Sequence, residues 1–161
     1  MPTSEIKSYL LFSLCKEHFA VDVKYVTRVI DLENMMRVPK APNFINGVIN
    51  LEGLVLPVVD LAKKVDLGTT EILPKTKNIV LEIDNDEESF FVGLLVDEVL
   101  DVVNTETAQL SAPPLENMGF DTQTLDGMLK VAEEFYMIIS VVKVFEKELT
   151  NFLEVDNSVS K

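Results

Sequence analysis

From Tyr9 to Val142 the chain is a succession of short runs of β-branched and aromatic residues, each closed by a turn signal. That rhythm leaves little room for anything but an all-β fold. Runs so short and so evenly spaced indicate barrels or a sandwich rather than a parallel α/β sheet. At 161 residues the chain suits one ordinary domain, which would bury roughly 70% of its unfolded surface.

Tyr9 to Leu14 (YLLFSL) and Phe19 to Val23 (FAVDV) have hairpin spacing, with Cys15 to His18 as the turn. Tyr25 to Leu32 fits a helical face or a strand, and its β-branched content favours a strand. Pro39 and Pro42 make Val38 to Gly47 a structured loop with at most one helical turn. Two strands follow around NLEG, Val48 to Asn50 and Leu54 to Val59, and Pro57 marks the second as an edge or a bulged strand. Leu61 to Val65 reads as a helical turn ended by Gly68, and the polar Thr69 to Thr76 as a mobile connection between two halves.

Beyond it the pattern restarts. Asn78 to Ile83, Phe90 to Val96 and Val99 to Val103 read as strands of a second sheet system, with DNDEES as an acidic turn. Residues 104–127 read as a long loop, Met128 to Val131 and Phe135 to Val142 as a hairpin turning at Glu133-Glu134, with FYMIISVV fully buried. Lys143 to Leu153 has helical periodicity. The expectation is near ten strands in two similar halves and one terminal helix.

The chain is 47% hydrophobic and 25% charged, a globular balance. Charges interrupt every apolar run well short of the ~20 residues of a membrane span. MPTSEIKSYL has neither a basic start nor an apolar core, so no secretory signal is expected and the cytosol is the expected compartment. The formal net charge of −13 repels phosphate backbones and anionic lipid surfaces, which argues against nucleic acid as a partner. The lone Cys15 cannot form an internal disulfide and reads as an inert buried thiol.

Catalytic chemistry finds little to work with. His18 is the one histidine, and no nucleophile elbow accompanies it. One Cys and one His cannot build a Cys/His metal site. Asp84, Asp86, Glu87 and Glu88 lack the calcium-loop spacing and read as a solvated turn. No phosphate cradle is present, and Glu133 with Glu134 are neighbours in a turn rather than an acid/base pair. No cofactor and no metal are expected. What remains is a protein that works by binding other proteins.

VTRVIDL, RVPKAPNFINGVINLEGLVLPVVDLAKK, VGLLVDEVLDVV and KVAEEFYMIISVVKVF follow one another in this chain. In order and spacing they closely resemble the CheW family of bacterial chemotaxis coupling proteins, over about Tyr9 to Phe152. The resemblance implies two packed five-stranded SH3-like β-barrels with a shared core and a C-terminal helix, residues 5–154 forming one CheW-like domain and 155–161 a polar tail. It implies no enzymatic activity. The implied partners are the regulatory domain of a CheA-type histidine kinase and the cytoplasmic tip of methyl-accepting chemoreceptors. Only about nine residues follow Phe152, so a stand-alone adaptor is expected rather than a kinase fragment or a receiver-linked form.

By position, the resemblance implies a partner groove of Val26, Arg28, Gly47, Glu52 and Gly53, with Gly93 and Val102 from the second barrel. Each glycine has a plain alternative in turn geometry or close packing, and Val26 and Val102 in core packing. The family usually has arginine where this chain has Glu52 and glutamate where it has Arg28. If the two residues face each other, the pair survives with both signs exchanged, and such a reversal would set partner choice. The resemblance thus implies either a general chemotaxis adaptor or the scaffold of a dedicated chemosensory system with a non-flagellar output.

Overall fold

The computed structural model describes residues 6–32, 35–85, 88–111 and 124–148. Within them the apolar runs form eleven strands. They are β1 (Ser8–Leu14), β2 (Glu17–Asp22), β3 (Val26–Asp31), β4 (Ile45–Leu51), β5 (Leu54–Asp60), β6 (Lys77–Asn85), β7 (Glu88–Val96), β8 (Glu98–Asn104), β9 (Gln109–Ser111), β10 (Leu125–Val131) and β11 (Glu134–Ile139). A 3-10 turn (Val23–Tyr25) and the short helices α1 (Leu61–Lys64) and α2 (Val141–Val144) complete the described elements.

The strands make a five-stranded sheet in the order β3-β6-β7-β5-β4 and a six-stranded sheet in the order β8-β1-β2-β11-β10-β9. The two halves are therefore interleaved, not consecutive. β6 and β7 join the central hairpin instead of opening a second system, and β8 returns to pair with β1. The expected mobile connection at Thr69 to Thr76 links strands of the same sheet. It is anchored, with Thr70 and Thr76 buried, the Thr70 amide donating to Asp60 at 3.1 Å and Thr76 Oγ1 to the Glu71 carbonyl at 3.1 Å.

Topologically, the sheets repeat one plan. Each has one parallel contact, β5 with β7 and β11 with β2. Each closing strand leads directly to a capping residue that starts a short helix: Asp60 accepts from the Lys63 amide at 3.5 Å and Ser140 from the Lys143 amide at 3.2 Å. A side-chain acceptor here satisfies amides that a first helical turn leaves open. Equivalent bulges fall at Ile45/Gly47 and Leu125/Gly127. At each, a Cβ on the glycine would lie 2.7 Å from a crossing carbonyl, that of Met36 or Ser111. The crossing segment forms β9 in one sheet and only the Met36–Val48 bridge in the other. That is the source of six strands where five were expected.

Alternation of side chains along each strand sorts the core into layers. Leu10, Phe12, Leu14, Phe19 and Val21 of one sheet meet Ile79, Leu81, Val92, Leu94 and Val96 of the other in a shared core. The opposite faces bury their own clusters, Tyr9, Leu11, Ala20, Leu129 and Ile138 in one and Ile49, Leu56, Val58, Val80 and Leu95 in the other. The fold is that of two SH3-like barrels joined through a shared core.

Several local expectations are corrected. Pro57 sits on an internal strand, tolerated because the ladder to β7 begins only at Val58. His18 lies in β2, not in the turn, which is Cys15-Lys16 with φ of 52° and 65°. Cys15 is thus a half-buried corner residue rather than part of an apolar run. The last hairpin turns at Ala132-Glu133, one residue earlier than read, and β10 begins at Leu125. FYMIISVV is not fully buried, since Phe135 is 53% and Val142 48% exposed. The terminal helix starts at Val141, and its expected continuation past residue 148, like the tail 155–161 and most of the 104–127 loop, lies outside the described residues.

Candidate functional site

Arg28 pairs laterally with Val80, Val80 with Gly93, Gly93 with Val58 and Val58 with Gly47. Three of the sequence-derived site residues therefore stand in one row that crosses all five strands of one sheet. They are nineteen to sixty-five positions apart in the chain, and only this sheet order aligns them.

At the end of the β4–β5 hairpin, Glu52 and Gly53 have φ of 52° and 89°. Two left-handed residues between paired Leu51 and Leu54 make a type I′ turn, whose twist matches the flanking strands. The Asn50 side chain accepts from the Gly53 amide at 2.8 Å and fixes the corner. Glycine suits the second position, but glutamate is disfavoured at the first. The turn carries the Glu52 carboxylate to Arg28, where Nη1 donates to Oε1 at 3.4 Å and Nη2 to Oε2 at 3.2 Å. The fork is bidentate, yet both ends are wet, with side chains 46% and 72% exposed. Such a pair is worth about 0–1 kcal/mol. Val29, Leu54 and Val55 are exposed apolar neighbours in sequence of the two charges and their turn.

The remaining site residues divide by what they touch. Gly93 is buried, and a Cβ there would lie 2.2 Å from Oδ1 of Asn78. Gly47 is covered by Met35, whose Cγ would lie 2.5 Å from an added Cβ. Both glycines are places of close approach. Val26 is half-buried against the shared core. Val102 is 56% exposed on β8, an edge of the six-stranded sheet, so it does not share a barrel with Gly93 as the sequence reading had it.

Sequence reasoning missed Asn78 and Asp60. Asn78 is fully buried with neither amide atom hydrogen-bonded to a described group, flanked across the sheet by Ile30 and Leu95. Asp60 is 1% exposed and ties α1 to the Thr70 strap. The D-L-A-K-K run after β5 carried a helix-start signal for Asp60; nothing in the local pattern marks Asn78.

Away from this site, His18 stacks on Tyr136 at 4.9 Å between centroids, and Glu134 accepts from the Tyr136 hydroxyl at 3.1 Å. Burial, then the Glu134 hydrogen bond and charge, push the Tyr136 phenol up from its ordinary value. Burial and the nearby Asp97, Asp60 and Glu17 likewise push the Cys15 thiol up, which suppresses its nucleophilic form.

Residues 8–149 match the CheW-like domain family. The chain belongs to the CheW family. It is 31% identical over 150 residues to the chemotaxis protein CheW of Bacillus subtilis, covering 91% of this chain and 93% of that one. Against the chemotaxis protein CheW of Thermotoga maritima it is 32% identical over 138 residues, covering 86% and 87%. The crystal structure of the scaffolding protein CheW from Thermoanaerobacter tengcongensis superposes with a TM-score of 0.76 at 29% identity, over 88% of this chain and 94% of that one. As a CheW-family scaffold the chain has the two-barrel β fold described above, and none of its described helices is long and apolar enough to cross a membrane.

Proposed function

We propose that this protein is a non-enzymatic cytoplasmic adaptor that couples chemoreceptor cytoplasmic tips to the regulatory domain of a CheA-type histidine kinase. The observation that carries the reading is the family match over residues 8–149, joined to a site that has charge and apolar surface but no reacting group. His18, the sole histidine, is engaged with Tyr136 and Glu134.

Within that role Arg28, Glu52, Gly53 and Val102 act by contact, as exposed groups able to meet a receptor helix. Gly47, Gly93 and Val26 act from beneath, by letting the chain pack closely. The Arg28–Glu52 pair sets which partners are accepted. Its stabilising value is small, whereas its sign pattern would repel partners shaped for the opposite order. That favours service to a dedicated chemosensory system with its own receptors and kinase.

The test is co-purification of the full chain with the kinase regulatory domain and a receptor hairpin fragment of the same organism. A three-component complex is expected. Failure to retain either partner at micromolar concentrations would refute the coupling role.

A further inference from the structure

A surface cleft of about 700 Å³ opens beside the segment that crosses Gly47, and Arg37, Lys40 and Lys63 line it with no carboxylate among its described lining residues. This is unexpected in a chain with 27 acidic and 14 basic residues. Among the described cations outside the cleft, Arg28, Lys64, Lys75, Lys77 and Lys143 each face a carboxylate within 4.0 Å, and what sets the cleft apart is that three unpaired cations converge on one concavity. No ion pair is found among the described residues for Arg37, Lys40 or Lys63.

The backbone holds one of these charges in place at a cost. The Ala41 amide meets the Val38 carbonyl at 3.4 Å across Pro39-Lys40, and Lys40 has φ of 61°. This is a type II turn, whose third position favours glycine or asparagine. A lysine there gives up turn stability. The rest of the wall mixes apolar residues, Met35, Val38, Pro39, Pro42 and Ile45 among them, with the amides of Asn43 and Asn46.

We propose that this cleft binds an acidic, extended peptide segment of a partner protein, one that alternates carboxylates with apolar side chains. Charge complementarity selects the carboxylates, and the proline-walled floor accepts the apolar residues between them. The overall charge of −13 weighs against a nucleic-acid strand. The proposal goes beyond the coupling role, and its test uses neither kinase nor receptor, so either reading can fail alone.

The experiment is fluorescence anisotropy with the full chain and a short fluorescein-labelled peptide of alternating glutamate and leucine. A matched peptide with glutamine for glutamate serves as the uncharged comparison. The proteins are wild type, Arg37→Gln/Lys40→Gln/Lys63→Gln, and the control Lys7→Gln/Lys16→Gln/Lys147→Gln, which removes the same charge elsewhere. Thermal melts establish that each is folded. The acidic peptide should bind wild type and control alike, weaken as salt rises, and lose roughly tenfold on the cleft variant, the combined weight of three exposed charge contacts. Equal binding by cleft variant and control, or no preference for the acidic peptide, overturns the proposal. So does displacement by pyrophosphate at its own peptide-free affinity, which would make the cleft a small-anion site. Sedimentation showing a dimer in wild type and a monomer in the cleft variant would assign it to a second copy and overturn the proposal equally.

Discussion

Replacing Gly93 by alanine places a methyl carbon 2.9 Å from Cγ and Nδ2 of Asn78 and 2.2 Å from its Oδ1, the last more than 1 Å inside ordinary contact. Asn78 is fully buried, so its amide has no route to solvent. Forcing a group into such a site costs about 1–3 kcal/mol, a fall in Tm of roughly 2–12 °C for a chain of this size. Asn78→Ala alone removes two unpaired polar atoms, a gain of about 1–3 kcal/mol, and leaves a small void of opposing cost. It should be near neutral. In the Asn78→Ala background the Gly93 substitution meets no amide and should cost less than about 0.5 kcal/mol, a coupling of at least ~0.5 kcal/mol. Urea denaturation of the four proteins measures this directly. Equal costs of Gly93→Ala in both backgrounds would refute the packing account. Partner binding then separates the two roles of Gly93: if the rescued double variant binds normally, the glycine acts only by leaving room for Asn78.

Two other outcomes follow from the geometry. Glu52→Asn keeps the type I′ turn with a residue that tolerates left-handed φ, and should raise stability by about 0.5 kcal/mol after loss of the Arg28 pair, read as a shift in thermal midpoint; a fall would show the pair to be worth more than the turn. Tyr9 and Tyr136 have phenols raised above 10.0, chiefly by burial, so their contribution is complete below that value and is lost as pH climbs through the higher folded values. Stability should therefore decline above pH 10, and Tyr9→Phe should flatten the decline, as followed by urea midpoints across the alkaline range.

The strand runs were legible because side-chain alternation and turn residues are local signals. Sheet membership was not. Nothing within Lys77–Val96 indicates that it pairs back onto β3 and β5 rather than forward, since a contact between distant segments leaves no periodic trace. The same limit hid the row from Arg28 to Gly47 and misplaced Gly93 beside Val102. A polar group in a short run resembles a corner, which is why the pattern puts His18 in a turn, whereas the turn is made by two left-handed residues, Cys15 and Lys16, of types that rarely adopt that conformation. Phe135 belongs to an apolar run that reads as buried, but such a run alone does not show which of its faces meets water, and Phe135 is exposed. The Arg28–Glu52 juxtaposition was available only as an implication of family resemblance, and the geometry places the two at 3.2 Å.

The proposed adaptor role assigns partner choice to that pair. Competition binding with two receptor hairpin fragments, one from the same organism and one from a general chemotaxis receptor, tests it with wild type, Arg28→Glu, Glu52→Arg and the double exchange. Each single variant, with two like charges facing, should bind the native fragment more weakly, and the double exchange should restore the pair while shifting preference toward the general receptor. Unchanged relative affinities in the double exchange would contradict that assignment.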